Sequence, residues 1–435
     1  MRLCAAGLLL TSSRLYAAAP SDIVTVHIDR SAPEGVCRLE LGVTHTQNDL
    51  DSPRANPQAV GRVKAALAAA CRFQVEPIMG WGAGNPEPSP GVYDWESLDR
   101  RIALIRSMHA IPVITLCAAP DWMKGGTAGK TDWPRIEVAP VPEHYADFAA
   151  LAKTVAQRYP DVHYYQVWNE FKGFWDQPNH NWNYARYTEM YNLVYDALKS
   201  VNPAIQVGGP YLVVEGTGLS PRAWFGAPPI TARNGQVLDY WLAHKHGADY
   251  LILDRSLTDK EHDPTPYTEA QVLAETHYFG DIVRQVRAKT NLPVWWAEYY
   301  GAEGFTDPAF IAAEFASCYV HMAKADAPQK AFLWGFLQRE GGGYQLFSNV
   351  GSPDGGQPTP HYRIFKIFHD DFGPGTSLYK ASSSSPDIEV LASATHTLLI
   401  NKRPAAVTVS VDGQAVTLAR YEVCLLDISK ARPHS

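Results

Sequence analysis

The chain of 435 residues carries 38 Lys plus Arg against 45 Asp plus Glu, a formal charge of −7, and no basic run interrupts it. That balance argues against a nucleic-acid partner, which needs a cationic stripe, and the globular composition argues against disorder. Twelve Trp and 22 Tyr are many for this length; most belong in a core, and the rest are faces on which a neutral sugar ring can stack.

Residues 1–20 combine Arg2, an apolar run over 3–10 and the small residues Ala17-Ala18-Ala19. They resemble a secretory signal with its cleavage site, which implies a secreted or periplasmic protein. No later stretch reaches the ~20 apolar residues that span a bilayer, so no membrane partner is expected. Cys4 would leave with the signal, and Cys37, Cys71, Cys117, Cys318 and Cys424 would remain. That odd count leaves at least one free thiol in a monomer. A Cys37–Cys71 disulfide is geometrically open if their strands are neighbours. With no Cys-x-x-Cys, no structural zinc site is indicated.

Residues 23–28, within a segment 21–35, alternate as a half-exposed strand. From 36 to 375 the rhythm is strand then helix. Strands are predicted over 38–45, 72–79, 111–117, 163–168, 204–209, 249–253, 293–298 and 330–336. Helices are predicted over 57–70, 95–108, 141–159, 184–200, around Tyr240, and over 268–289 and 308–325. Eight such units point to a closed (β/α)₈ TIM barrel in the α/β class rather than an open sheet. Beyond residue 376 short alternating runs follow at 388–392, 397–401, 407–411, 415–418 and 423–428, with Asp412-Gly413 as a hairpin turn. This tail reads as a small C-terminal β-sandwich over 376–435, which the strand near 23–28 would complete.

In such a barrel the active site lies at the C-terminal ends of the strands, so acids there are the candidates. Glu170 ends strand four in Tyr164-Tyr165-Gln166-Val167-Trp168-Asn169-Glu170, and Glu298 ends strand seven in Val294-Trp295-Trp296-Ala297-Glu298-Tyr299-Tyr300. These strands face each other across the mouth, within reach of the ~5–5.5 Å carboxyl separation of a retaining glycosidase. One carboxyl must then be protonated and the other ionised, which differing environments and mutual repulsion achieve. Glu76, also near a strand end, is a minor rival acid.

Trp168-Asn169-Glu170 on strand four, with a Glu closing strand seven, resembles clan A of the glycoside hydrolases, retaining enzymes on TIM barrels. Gly91-Val92-Tyr93-Asp94-Trp95-Glu96-Ser97-Leu98-Asp99, Ala119-Pro120-Asp121-Trp122 and Val207-Gly208-Gly209-Pro210 fit the same clan. With the trailing β-domain they are most similar to glycoside hydrolase family 39. The resemblance implies Glu170 as general acid/base, Glu298 as nucleophile and Asn169 as partner of the sugar 2-hydroxyl. It further implies that Arg72 steadies the nucleophile and that Trp334 floors the subsite of the attacked sugar. Clan members place a His or Tyr just after strand six, where this chain has Asp254-Arg255. The nucleophile's tyrosine partner is then open, with Tyr299 and Tyr300 as substitutes. Trp81, Trp122, Trp175 and Trp182 lie on strand-end loops and are candidates for sugar contact. The implied substrate is an oligo- or polysaccharide, a β-xyloside at family level. Alternatives are an arabinosidase, glucosidase or endo-glycanase, or a non-catalytic carbohydrate-binding barrel. No cofactor or metal is implied, and the oligomeric state is open.

Three other motifs read as structural. Gly80-Trp81-Gly82-Ala83-Gly84 is followed by Pro86 and Pro88 where a phosphate-binding helix should start. His244-Lys245-His246 precedes a strand rather than ending one, which suits a surface helix end. Asp254, Asp259, Glu261 and Asp263 form an acidic loop expected to be solvated, with calcium the lesser reading.

Overall fold

The computed structural model describes residues 23–47, 49–214, 230–258, 267–325, 327–339 and 342–428. The signal-like stretch 1–20 and the acidic residues Asp259, Glu261 and Asp263 lie outside them. Eight parallel strands close into a barrel: β1 (Leu39–Thr44), β2 (Phe73–Pro77), β3 (Ile111–Leu116), β4 (Tyr164–Val167), β5 (Gln206–Val213), β6 (Tyr250–Ser256), β7 (Val294–Tyr300) and β8 (Gln329–Trp334). They are hydrogen-bonded in sequence order, with β8 returning to β1.

Strand alternation explains the interior. Phe73 and Val75, Val113, Tyr250 and Ile252, Trp295 and Ala297, and Phe332 point inward as one apolar cluster, while the residues between them pack against the helices. Room for the large rings comes from two glycines. A Cβ on Gly42 would sit 2.6 Å from the Phe332 ring and one on Gly208 2.1 Å from the Tyr250 ring.

The helices follow the predicted periodicity. The helix Pro57–Ala70 starts with Pro in its first turn and Asn56 as cap. The single helix expected over 268–289 is two, Glu269–Glu275 and Tyr278–Arg287. At the break the Thr276 hydroxyl donates back to the Leu273 carbonyl and meets Ser317 Oγ, a local bond that competes with helix continuation. A helix at Pro360–Asp370, capped by Thr359, and a strand at Ser377–Ser383 were not anticipated.

The tail forms a seven-stranded, mostly antiparallel sheet in the order Gln414–Leu418, Val407–Val411, Val24–Val36, Ser377–Ser383, Ile388–Ala392, His396–Asn401, Val423–Asp427. The strand Val24–Val36 thus lies inside it, parallel to Val407–Val411. One face gathers Val24, Val26, Val390, Leu399 and Val409 into a core of its own. On the other, Leu391, Leu398 and Ile400 join the barrel core. Glu389 ties the two units: its carboxylate accepts from Ser317 at 2.5 Å and lies 3.0 Å from His321 on the barrel helix Pro308–Ala323.

Cys37 and Cys71 are both buried free thiols. Their strands are neighbours, but Phe73 opposite Gly42 puts Cys71 level with Glu40. Cys37 is therefore three residues, about 10 Å, along the strand, beyond disulfide reach. Among the described residues no helix is long and apolar enough to cross a membrane.

Candidate active site

β4 leaves the barrel through a tight turn. Trp168, Glu170 and Phe171 all have left-handed backbones, with φ of 69°, 50° and 56°, a conformation that non-glycine residues adopt only when packing enforces it. Packing supplies that here: Trp168 is buried edge-on against Phe148 and Phe174, and its indole donates to the Lys172 carbonyl at 2.8 Å. Trp168 is therefore the anchor of the turn, and Asn169 and Glu170 are the residues it aims into the mouth.

Glu298 arrives by a different device. With strict alternation it would share the outer face of β7 with Trp296. A register shift after Trp296, against both β6 and β8, turns it inward instead, as β-bulges beside active sites commonly do. Tyr299 consequently faces outward to bond Tyr319, and Tyr300 faces in. β5 repeats the device. Its register slips between Gly209 and Leu212, and Tyr211, at φ 57°, points into the barrel.

These turns converge on one carboxylate. Glu298 Oε1 accepts from Asn169 Nδ2 at 3.1 Å and from the Tyr211 hydroxyl at 2.5 Å, and Oε2 accepts from the Tyr300 hydroxyl. Carboxylate oxygens of Glu170, Asp254 and Glu298 lie within 4.8 Å of one another. Burial first, then the neighbouring Glu170 charge, push Glu298 up to about 8 against its donors. Burial and the Glu298 charge hold both tyrosine hydroxyls well above the ordinary tyrosine range, so they remain donors. Three donors on Glu298 favour its ionised form.

Tyr211→Phe or Tyr300→Phe should each lower kcat/KM by about 10- to 100-fold, the worth of one hydrogen bond to a charged group. Each should also move the acidic limb of the pH profile upward, because the ionised Glu298 loses a partner. An unmoved limb in both variants would remove the tyrosines from this role.

The remaining predicted residues divide. Trp334 ends β8 on the inner face, edge-on to Trp81 at 5.9 Å, and both line the pocket with Thr46. Arg72 does not reach the site. It precedes β2 at the opposite end of the barrel, exposed, 3.7 Å from Glu40 and over the Phe73 ring. The extended chain cannot carry it the length of the strand. Trp122 is also displaced. Its indole donates to the Glu87 carbonyl at 3.0 Å and its ring meets His144, so it joins the loops after β2 and β3 outside the pocket. Trp175 and Trp182 form a short ribbon after the turn and do not line the pocket either.

Glu76 alternates outward from β2, where Arg101 pairs with it at 3.0 Å; burial still pushes it up to about 7. His45, Asp49 and Glu76 cluster closely enough to hold a cation, but the Arg101 guanidinium already meets their charge. His244 ends the helix Ala232–His244, as expected of a surface helix end. Asp254 corrects the solvated-loop reading. It is buried on the inner face of β6, between Leu253 and Arg255, which face the helices. Tyr211 and Asp254 were the site residues that sequence reasoning missed. The Gly-Gly-Pro-Tyr run and the acid in the clan's His/Tyr position were the available signals.

The mouth of the barrel thus gathers three inward carboxyls, Glu170, Asp254 and Glu298, within 4.8 Å of one another. Residues 86–420 match the family described as glycosyl hydrolases family 39. The chain belongs to this family. It is a clan A glycosidase with a carbohydrate substrate. No curated protein sequence matches it at a significant level. Similar solved structures include a monomeric β-xylosidase from Caulobacter crescentus, 16% identical with a TM-score of 0.57 over 89% of this chain and 83% of that one. A family 39 glycoside hydrolase from Bacteroides cellulosilyticus WH2 is 18% identical, with a TM-score of 0.59 over 91% and 80%. A family 39 enzyme from Xanthomonas axonopodis pv. citri is 18% identical, with a TM-score of 0.53 over 91% and 77%. This family 39 enzyme shares their fold.

Proposed function

We propose that this family 39 enzyme hydrolyses glycosides with net retention, Glu298 acting as nucleophile and Glu170 as general acid/base. The observation that carries the reading is the separation of the two carboxylates, within 4.8 Å between oxygens. That spacing suits a retaining pair and leaves no room for the water an inverting enzyme places between its carboxyls. Glu298 attacks the anomeric carbon while Glu170 protonates the departing oxygen. Water, deprotonated by Glu170, then displaces Glu298 from the sugar and regenerates both groups.

The substrate proposed is a short oligosaccharide or polysaccharide end with a neutral, xylose-like sugar at the attacked position. A cavity of about 600 Å³ holds the pair, with Trp334 and Trp81 as apolar surfaces among mostly polar groups, and the Caulobacter crescentus relative is described as a β-xylosidase. Export is part of the same proposal, carried by residues 1–20. The deciding experiment follows anomeric configuration by NMR during hydrolysis of an aryl β-xyloside and related aryl glycosides. The first product formed should have the configuration of its substrate. An inverted first product would rule out the double displacement.

A further inference from the structure

Lys172 stands directly against Glu170. Lys172 Nζ lies 3.0 Å from Glu170 Oε2 and 2.5 Å from Glu137 Oε1. All three side chains line the pocket. Its place is built in: the Lys172 amide donates to the Asn169 carbonyl at 2.9 Å, and its own carbonyl accepts the Trp168 indole. The turn that aims Glu170 therefore also aims Lys172. Burial works against the ammonium, and the two carboxylates overcome it, so Lys172 titrates well above the ordinary lysine range. From the other side Glu170 faces Glu298 and Tyr300 on β7, Asp254 on β6, Tyr211 on β5 and the buried Cys117 thiol after β3. Of these, Glu298 and Asp254 are carboxyls that favour a proton on Glu170.

We propose that Lys172, held by Glu137, is a positioning residue that sets how readily Glu170 releases and recovers its proton. The proposal rests on Glu170 being the acid/base. The two half-reactions make opposite demands on that group. In the first, Glu170 must give a proton to the leaving oxygen beside an ionised Glu298. In the second, Glu298 is esterified and neutral, and Glu170 must be ionised to take a proton from water. Lys172 stabilises the ionised form, which speeds readiness for the second half and restrains proton retention in the first. Glu137 moderates it, since it takes part of the ammonium's attraction on the side away from Glu170.

Two substitutions test this with opposite signs. Lys172→Met removes the positive neighbour and should move the alkaline limb of kcat/KM, measured on an alkyl glycoside that needs its leaving group protonated, to higher pH by about one unit or more. Glu137→Gln leaves Lys172 attached to Glu170 alone and should move the same limb to lower pH. Lys172→Arg should restore most of the wild-type profile. Glu137 is the more exposed partner, at 56% of its side chain, so its variant is expected to fold even if Lys172→Met does not. Limbs that shift in the same direction, or that stay in place while kcat falls, would overturn the proposal and leave Lys172 a structural brace. Glu170→Ala assayed alongside separates the two ideas. Its failure to respond to azide would overturn the acid/base reading itself. Its rescue by azide with unmoved limbs would overturn only the role of Lys172.

Discussion

Glu298→Gln should lower kcat/KM by about 10⁴-fold or more on every aryl glycoside the wild type accepts, because the carboxylate that attacks the anomeric carbon is replaced by a neutral amide. The effect belongs to chemistry and not to folding. The Gln amide keeps an oxygen to accept from Asn169 and Tyr211, and its NH₂ can donate to the Tyr300 oxygen. Stability should change in the opposite sense from activity. Glu298 is raised from 4.5 to about 8, so the folded protein binds this proton more tightly than the unfolded chain. Wild-type stability from this group is therefore full below about pH 4.5 and declines as pH rises to about 8. The neutral amide removes that slope. Thermal unfolding at pH 5 and pH 8 should show a smaller difference for Glu298→Gln than for the wild type. Residual activity above about a tenth of wild type would disqualify Glu298 as nucleophile.

Glu170→Ala should divide substrates by leaving group. With a dinitrophenyl-type leaving group no proton is needed, so the first half-reaction proceeds and the second becomes limiting. With an alkyl or sugar leaving group, loss of the general acid should cost about 10²- to 10⁴-fold. Azide, small enough for the space vacated and nucleophilic without a base, should restore turnover on the activated substrate and yield a glycosyl azide of retained configuration. The pH profile supplies an independent reading. In the wild type poor leaving groups need the Glu170 proton, so kcat/KM on them should fall at high pH as that proton is lost. Glu170→Ala should lack that alkaline limb. An equal loss on all leaving groups with no azide effect would assign Glu170 to binding and not to proton transfer.

The two carboxylates also mark how far the residues alone could be read. Strand periodicity located the ends of β4 and β7, and acids at those ends needed no coordinates to be noticed. What periodicity could not see was the side from which each acid faces. Glu298 reaches the barrel interior only because a bulge after Trp296 reverses the parity of β7, and Tyr211 is turned inward by the slip in β5. Glu76 shows the converse: a strand acid with unbroken alternation, it points out to Arg101. Arg72 was misplaced for a related reason. Membership of a strand says nothing about which end of it a residue occupies, and this one sits five residues before Pro77, the last residue of β2 at its catalytic end.

The sequence by itself determined the eight-fold strand and helix alternation, the β-rich tail, the strand-end Glu170 and Glu298, and the neighbouring Asn169, Tyr300 and Trp334. Each is recorded in local patterns of period two or 3.6, or in adjacency along the chain. The tertiary structure alone decided that Tyr211 and Asp254 join the site, that Arg72 and Trp122 do not, and that Lys172 stands between Glu137 and Glu170. These depend on register shifts, on left-handed turns enforced by packing around Trp168, and on loops from different barrel units meeting in space. None of those leaves a periodic trace, because each is set by contacts between residues far apart in the chain.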